Sequence, residues 1–224
     1  MTELEEEQAI REITQEVALA ALGRTDFFKY GVFQGGTSLR IFYGLNRFSI
    51  DLDFWITQNP NTTKLFEVIK QCLTQNYILT DAANKFNTLL FEIKTNRYPR
   101  RLKIEVRKES KQIQTEPTIA YSKYSNLQVL LPAVSLPGMM QAKIDAFLNR
   151  KEIRDVFDIE FMLKKGIPLP GSQKQLKQML QEINGLSKKD YTVKLGSLLD
   201  SELRKYYTTE NFKILTAAIQ EKLV

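Results

Sequence analysis

The sequence contains no histidine and a single cysteine, Cys72. Without histidine there is no Ser-His-Asp or Cys-His catalysis, no HExxH zinc site, no His-ligated haem and no imidazole base. With one cysteine there is no intrachain disulfide and no cysteine cage for zinc or iron–sulfur. A reducing compartment is the simplest fit. Also lacking is any run near the roughly 18 apolar residues of a membrane span. The opening MTELEEEQAI is acidic and reads as a helix, not as a secretory leader or an Arg-rich transit peptide. A cytoplasmic location without membrane association is therefore expected. Chemistry is left to Asp, Glu, Lys, Arg, Ser, Thr and Tyr, with an oxygen-bound metal as the natural helper.

The 224 residues are 43% hydrophobic and 26% charged, the balance of a globular chain. That length makes one ample domain or two small ones. The net charge is +6, but its distribution says more. Residues 1–16 carry six Glu and one Arg. Residues 94–111, KTNRYPRRLKIEVRKESK, carry eight basic and two acidic residues. Such a stretch is either a solvated strand face or a patch that attracts phosphate or nucleic acid. Tyr98 is its one aromatic residue, so phosphate attraction rather than base stacking is the mode it suits.

Hydrophobic spacing predicts a helix over 3–22, a short strand over 28–33 and a helix over 37–45 opened by Gly35-Gly36. Residues 50–56 alternate and read as a strand, and 62–75 read as a helix. Residues 86–95 and 101–108 read as an antiparallel pair, turning near Asn96 to Pro99, and 127–131 as a further strand. Beyond Pro132 and Pro137 the pattern becomes helical: 138–150, 153–165, 172–184, 188–206 and 209–223. The fold class expected is α+β: an α/β domain over 1–133, then a helical domain over 134–224.

The stretch QGGTSLRIFYGLNRFSIDLDFW, Gln34 to Trp55, is the informative one. On an alternating strand, Ile50, Leu52 and Phe54 face one way while Asp51, Asp53 and Trp55 face the other. Carboxylates two residues apart have Cβ atoms about 6–7 Å apart and can share one divalent ion or a pair of ions. Asp is a poor strand former, and two like charges on a half-buried strand are costly unless a cation relieves them. Gly35, Gly36, Thr37 and Ser38 follow a strand and open a helix, where free N–H groups and hydroxyls can cradle a phosphate. Arg47 could pair with Asp51 or a phosphate. Glu105 alternates with Leu102, Ile104 and Val106; if its strand lies beside the Asp strand, it becomes a third ligand or a general base. Edge strands carrying solvated acids are the plainer alternative.

Gly35-Gly36-Thr37-Ser38-Leu39, with Arg47, Ser49, Asp51, Asp53 and Phe54, resembles the first motif of the AbiEii/AbiGii toxin family. That family belongs to the polymerase-β-like nucleotidyltransferase superfamily. A second block, MMQAKIDAFLNRKEIRDVFDI over 139–159, is similar to the family's downstream segment through Lys143, Arg150, Arg154, Asp155 and Asp158. The chain departs from the pattern at Ala142, often Glu, and at Glu105, often Asp. On a helix, Lys143 can reach phosphates as a point charge, and Asp155 and Asp158 share a face. One of these acids would orient Lys143 or Arg150 and the other would contact the nucleotide; an ordinary salt-bridge set is the plainer reading.

The resemblance implies a nucleotidyltransferase-like mixed sheet with flanking helices, followed by a C-terminal helical bundle. It implies transfer of NMP from an NTP to an acceptor hydroxyl, with Mg²⁺ or Mn²⁺ held by Asp51, Asp53 and Glu105. Gly35, Gly36, Thr37, Ser38, Arg47, Lys143, Asp155 and Asp158 would serve the nucleotide, and Lys143 would join the catalytic set. RNA or tRNA is the implied acceptor and a cognate antitoxin protein the implied partner. Two alternatives use the same residues: a metal-dependent nuclease, and a catalytically silent module binding RNA or an antitoxin. The pocket is expected between the two halves.

Overall fold

The computed structural model describes residues 3–96 and 101–223, with side chains from residue 7 onward. The chain divides into two compact units. The first holds Met1–Gly44 and Ser49–Val134; the second holds Leu45–Phe48 and Ser135–Val224.

In the first unit, helix α1 (Glu3–Gly23) leads through a 3₁₀ turn (Asp26–Lys29) into β1 (Gly31–Gln34) and α2 (Gly35–Tyr43). There follow β2 (Leu52–Ile56), α3 (Thr62–Asn76), β3 (Ile78–Asn84), β4 (Thr88–Lys94), β5 (Leu102–Ser110), β6 (Thr115–Ala120) and β7 (Val129–Val134). Among the described residues these strands form one seven-stranded sheet, in the order β3-β4-β5-β2-β1-β7-β6. The β2/β5 and β1/β7 pairs are parallel and the others antiparallel. The sheet is therefore mixed, and β2 sits at its centre.

Alternation explains the two faces of the sheet. Leu52, Phe54, Ile104, Val106, Phe91 and Phe33 point to one side and are buried with Leu19, Leu22, Ile69 and Leu73 of α1 and α3. Phe27, Phe33 and Phe54 form an aromatic cluster, with centroids 5.0 and 5.2 Å from Phe54. The opposite side of β2 and β5 carries Asp53, Lys103 and Glu105, each partly exposed. The sheet thus has an apolar face that holds the fold and an acidic row that does not.

The second unit is helical: α4 (Leu136–Arg150), α5 (Ile153–Lys164), α6 (Gln173–Asn184), α7 (Ser201–Glu210) and α8 (Lys213–Leu223). Side-chain caps start three of these helices: Ser135 before α4, Ser172 in a capping box before α6, and Asp200 before α7. Among the described residues no helix is long and apolar enough to cross a membrane.

Several boundaries differ from the sequence reading. The strand expected over 28–33 starts at Gly31, because Thr25 caps a 3₁₀ turn ahead of it. The helix expected over 188–206 is broken. Residues Asp190–Leu195 wind as a π-helix, Gly196–Leu198 as a 3₁₀ turn, and Asp200 then caps a separate helix. Strands β3 and β6 were not legible: β3 lacks clean alternation, and β6 contains Pro117 at the sheet edge. The final strand runs through Pro132 to Val134. Of the expected turn around Asn96 to Pro99, residues 97–99 lie outside the described residues.

Candidate functional site

The first cluster is built on β2. Asp53 is paired on both sides, opposite Gln34 of β1 and opposite Glu105 of β5. Because β2 and β5 run parallel in that register, Asp53 and Glu105 share a face. Asp51 comes one residue before β2, outside the paired register. Lys103 stands two residues before Glu105 on the same face. Its ammonium lies 3.0 Å from Glu105 and 3.4 Å from Asp51. Partial burial works against that charge, but Glu105 and Asp51 outweigh it and hold the Lys103 pKa above the ordinary lysine value.

Gly35 opens α2 directly beside this acid row. Its φ is +86°, and a Cβ built there would lie 2.8 Å from Oδ2 of Asp53. Only glycine lets the carboxylate come this close to the helix start. Gln34, at the N-cap, makes no side-chain cap hydrogen bond. Gly35→Ala is accordingly expected to cost about 1–3 kcal/mol, from positive φ and the displaced carboxylate. A urea midpoint indistinguishable from the parent would sink that expectation.

The hydroxyls of this turn have different fates. Thr37 donates to the Asp51 carbonyl at 2.6 Å and lies 2.9 Å from the Ser49 hydroxyl. Ser38 is fully buried, and its Oγ has no hydrogen-bond partner.

The second cluster lies within the helical unit. Arg47 Nε and Nη2 donate to the two oxygens of Asp158 at 2.6 and 2.7 Å. Lys143 contacts Asp158 at 2.7 Å and Asp155 at 3.1 Å. Arg150 forks onto Asp155 with two bonds of 2.7 Å. Three cations thus share two carboxylates, and both carboxylates are fully buried. Burial alone would raise the Asp158 pKa, but Arg47 and Lys143 hold it below the ordinary carboxylate value. Burial likewise opposes the Arg47 charge, and Asp158 more than restores it.

The structure therefore brings Gly35, Gly36, Thr37, Ser38, Asp51, Asp53 and Glu105 together in the first unit. It places Arg47, Lys143, Asp155 and Asp158 together in the second. Arg47 is committed to Asp158 and the carbonyl of Phe48, and Thr37 to the chain at Asp51. The alternation of 102–106 sets Lys103 on the face of Glu105 as one of the cations balancing it, and the structure adds that its ammonium also reaches Asp51. The sequence reading missed Gln15 of α1, fully buried, whose Nε2 donates to the Ile50 carbonyl at 2.7 Å.

Among the described residues no three His, Cys, Asp or Glu side chains are grouped as a ready metal cage. The donor set of the first cluster is nevertheless all oxygen, which suits a hard divalent cation. A positive group, the Lys103 ammonium, already sits between Asp51 and Glu105. These acids fit a cation.

Comparison with known proteins adds a family. The sequence model described as "Nucleotidyl transferase AbiEii toxin, Type IV TA system" matches residues 17–219. Among solved structures, the chain is similar to MenT4, a nucleotidyltransferase toxin from Mycobacterium tuberculosis. There the TM-score is 0.60 and the identity 17%, over 96% of this chain and 87% of that one. It is also similar to JHP933 from Helicobacter pylori. That match has a TM-score of 0.56 and 23% identity, over 96% of this chain and 93% of the other. At such identities the likeness concerns the fold. No curated protein sequence matches the chain.

Proposed function

The chain belongs to the AbiEii nucleotidyl transferase toxin family, and on that premise we propose that it moves NMP from an NTP to an acceptor hydroxyl, with RNA or tRNA as acceptor. One observation supports this above the rest. Asp53, in register with Glu105, lies against Gly35 at the start of α2, so the acids adjoin the turn proposed to take the phosphates. A nuclease needs the acids but not the turn.

In this reading the acceptor oxygen attacks the α-phosphorus, a phosphodiester forms and pyrophosphate leaves. Asp51, Asp53 and Glu105 would hold Mg²⁺ or Mn²⁺, which when bound offsets the triphosphate charge and favours the ionised acceptor hydroxyl. The N–H groups of Gly36, Thr37 and Ser38 would take the outer phosphates. The buried Ser38 hydroxyl, unlike that of Thr37, is left over to add a donor. Glu105 would bind as a ligand or receive the acceptor proton. In the second unit Lys143 is the residue proposed to meet triphosphate charge, its ammonium fixed by Asp155 and Asp158. The basic residues of β5, Lys103, Arg107 and Lys108, suit a polyanionic acceptor. A cognate antitoxin is the partner that the family implies, and the cytoplasm is the compartment proposed.

The test is incubation with Mg²⁺, total cell RNA and each α-labelled NTP, beside the Asp51→Asn/Asp53→Asn variant. Label entering small RNA with the parent protein alone is expected. RNA shortening without label would move the assignment to a nuclease. Intact, unlabelled RNA would remove RNA as the acceptor.

A further inference from the structure

The two aspartates of the acid strand are held by different means. Asp53 lies inside the sheet ladder, flanked by Gln34 and Glu105, so backbone pairing fixes it. Asp51 precedes the ladder, whose register with β5 begins at Leu52. Residues between the end of α2 and β2 have no regular structure. Something other than strand pairing must set where Asp51 stands.

Two side chains act on that lead-in. From α1, the Gln15 amide nitrogen donates to the Ile50 carbonyl at 2.7 Å and lies 3.3 Å from that of Ser49. Both neighbours are acceptors, so the amide must present its nitrogen. From α2, the Thr37 hydroxyl donates to the Asp51 carbonyl at 2.6 Å and can accept from Ser49 at 2.9 Å. Consecutive residues 49, 50 and 51 are thus tied to two helices. Gln15 and Thr37 are both fully buried, where hydrogen bonds are shielded from competing water. A fully buried glutamine is costly, and its Oε1 has no partner. Core packing alone gives no reason for a glutamine there.

We propose that Gln15 and Thr37 are positioning residues: a two-point clamp that holds residues 49–51 and so presents the Asp51 carboxylate to the cation. The proposal rests on the nucleotidyl-transfer reading, since it gives Asp51 the role of ligand. Thr37, on this view, serves through its side chain the acid and not the phosphate.

The experiment compares parent, Thr37→Val, Thr37→Ser and Gln15→Leu. Amide hydrogen exchange of the peptide over 46–53 reports the clamp. Free-Mn²⁺ spectroscopy in a titration reports cation affinity. Thr37→Val nearly preserves shape, so it stays informative if Gln15→Leu fails to fold. In Thr37→Val, exchange at 49–51 is expected to rise about tenfold, and Mn²⁺ binding to weaken by a similar factor. Thr37→Ser should restore both. Unchanged exchange in Thr37→Val would overturn the clamp, and so would faster exchange with unaltered Mn²⁺ affinity. Label transfer is measured in parallel. A parent protein that binds Mn²⁺ through the clamp but puts no label into RNA would remove RNA as the acceptor and leave the clamp standing.

Discussion

Asp53→Asn is expected to lower nucleotidyl transfer by about 10³-fold or more while the protein stays folded. The residue is fixed by its place in the centre of the sheet, with β1 on one side and β5 on the other. Asparagine has nearly the same shape, so backbone pairing and the approach to Gly35 are kept. What goes is one negative charge in a row that already holds Glu105 and Asp51. Strand pairing on both sides is unchanged, so the thermal midpoint should stay near that of the parent. Glu105→Gln should be milder, because its partner Lys103 is a protein cation that stays in place. The check is label transfer beside a melting curve. Transfer within tenfold of the parent with an unchanged melt would remove Asp53 from the reaction.

Asp158→Asn should act on stability instead, by about 3–5 kcal/mol. The carboxylate is fully buried and serves Arg47 with two short hydrogen bonds and Lys143 with a third contact. Neutralising it strands the Arg47 guanidinium, itself only 6% exposed, beside a neutral amide. Urea unfolding near pH 7 measures the loss; less than about 1 kcal/mol would mean the cluster relaxes and lets water in. The sign of the pH effect follows from the depressed Asp158 pKa. Its contribution is fully present above the unfolded carboxylate value of about 3.9 and is lost as pH falls through the lower folded value. Parent and variant should therefore converge in strong acid and diverge above about pH 4.

How much of this was legible in the sequence depends on how far each feature reaches along the chain. Alternation, which is local, puts Asp53 and Glu105 each on the polar side of its strand, whereas the pairing of those two strands is long-range. Helical spacing puts Asp155 and Asp158 on one face, and Lys143, on the preceding helix, came only with the family resemblance. The partner of Arg47 was not legible: Asp158 lies 111 residues away, and no periodicity connects a loop arginine to a helix acid. Gln15 was hidden for a related reason. A glutamine in a helix is unremarkable until tertiary packing shows that it is buried against carbonyls. The edge strands β3 and β6 were missed because each pairs on one side only. They bury little, so the hydrophobic pattern is faint. The break near Gly196 did carry local signals, a glycine and then the capping Asp200, but apolar spacing outweighed them.

The four-residue excursion of Leu45–Phe48 into the helical unit bears on how the chain is made. Arg47 leaves the ribosome early, four residues ahead of Asp51, and its carboxylate partner follows 111 residues later. At about 5–20 residues per second, that delay is roughly 5–20 seconds. Until then a nascent chain can pair its sheet but cannot close the ion cluster. Cutting the gene at the boundary after Val134 would not yield two self-sufficient halves. The upstream product would keep Arg47 without Asp158, and the downstream one would keep Asp158 without Arg47. Each fragment would carry a charge without its partner, so the ion cluster closes only after Asp158 has been made.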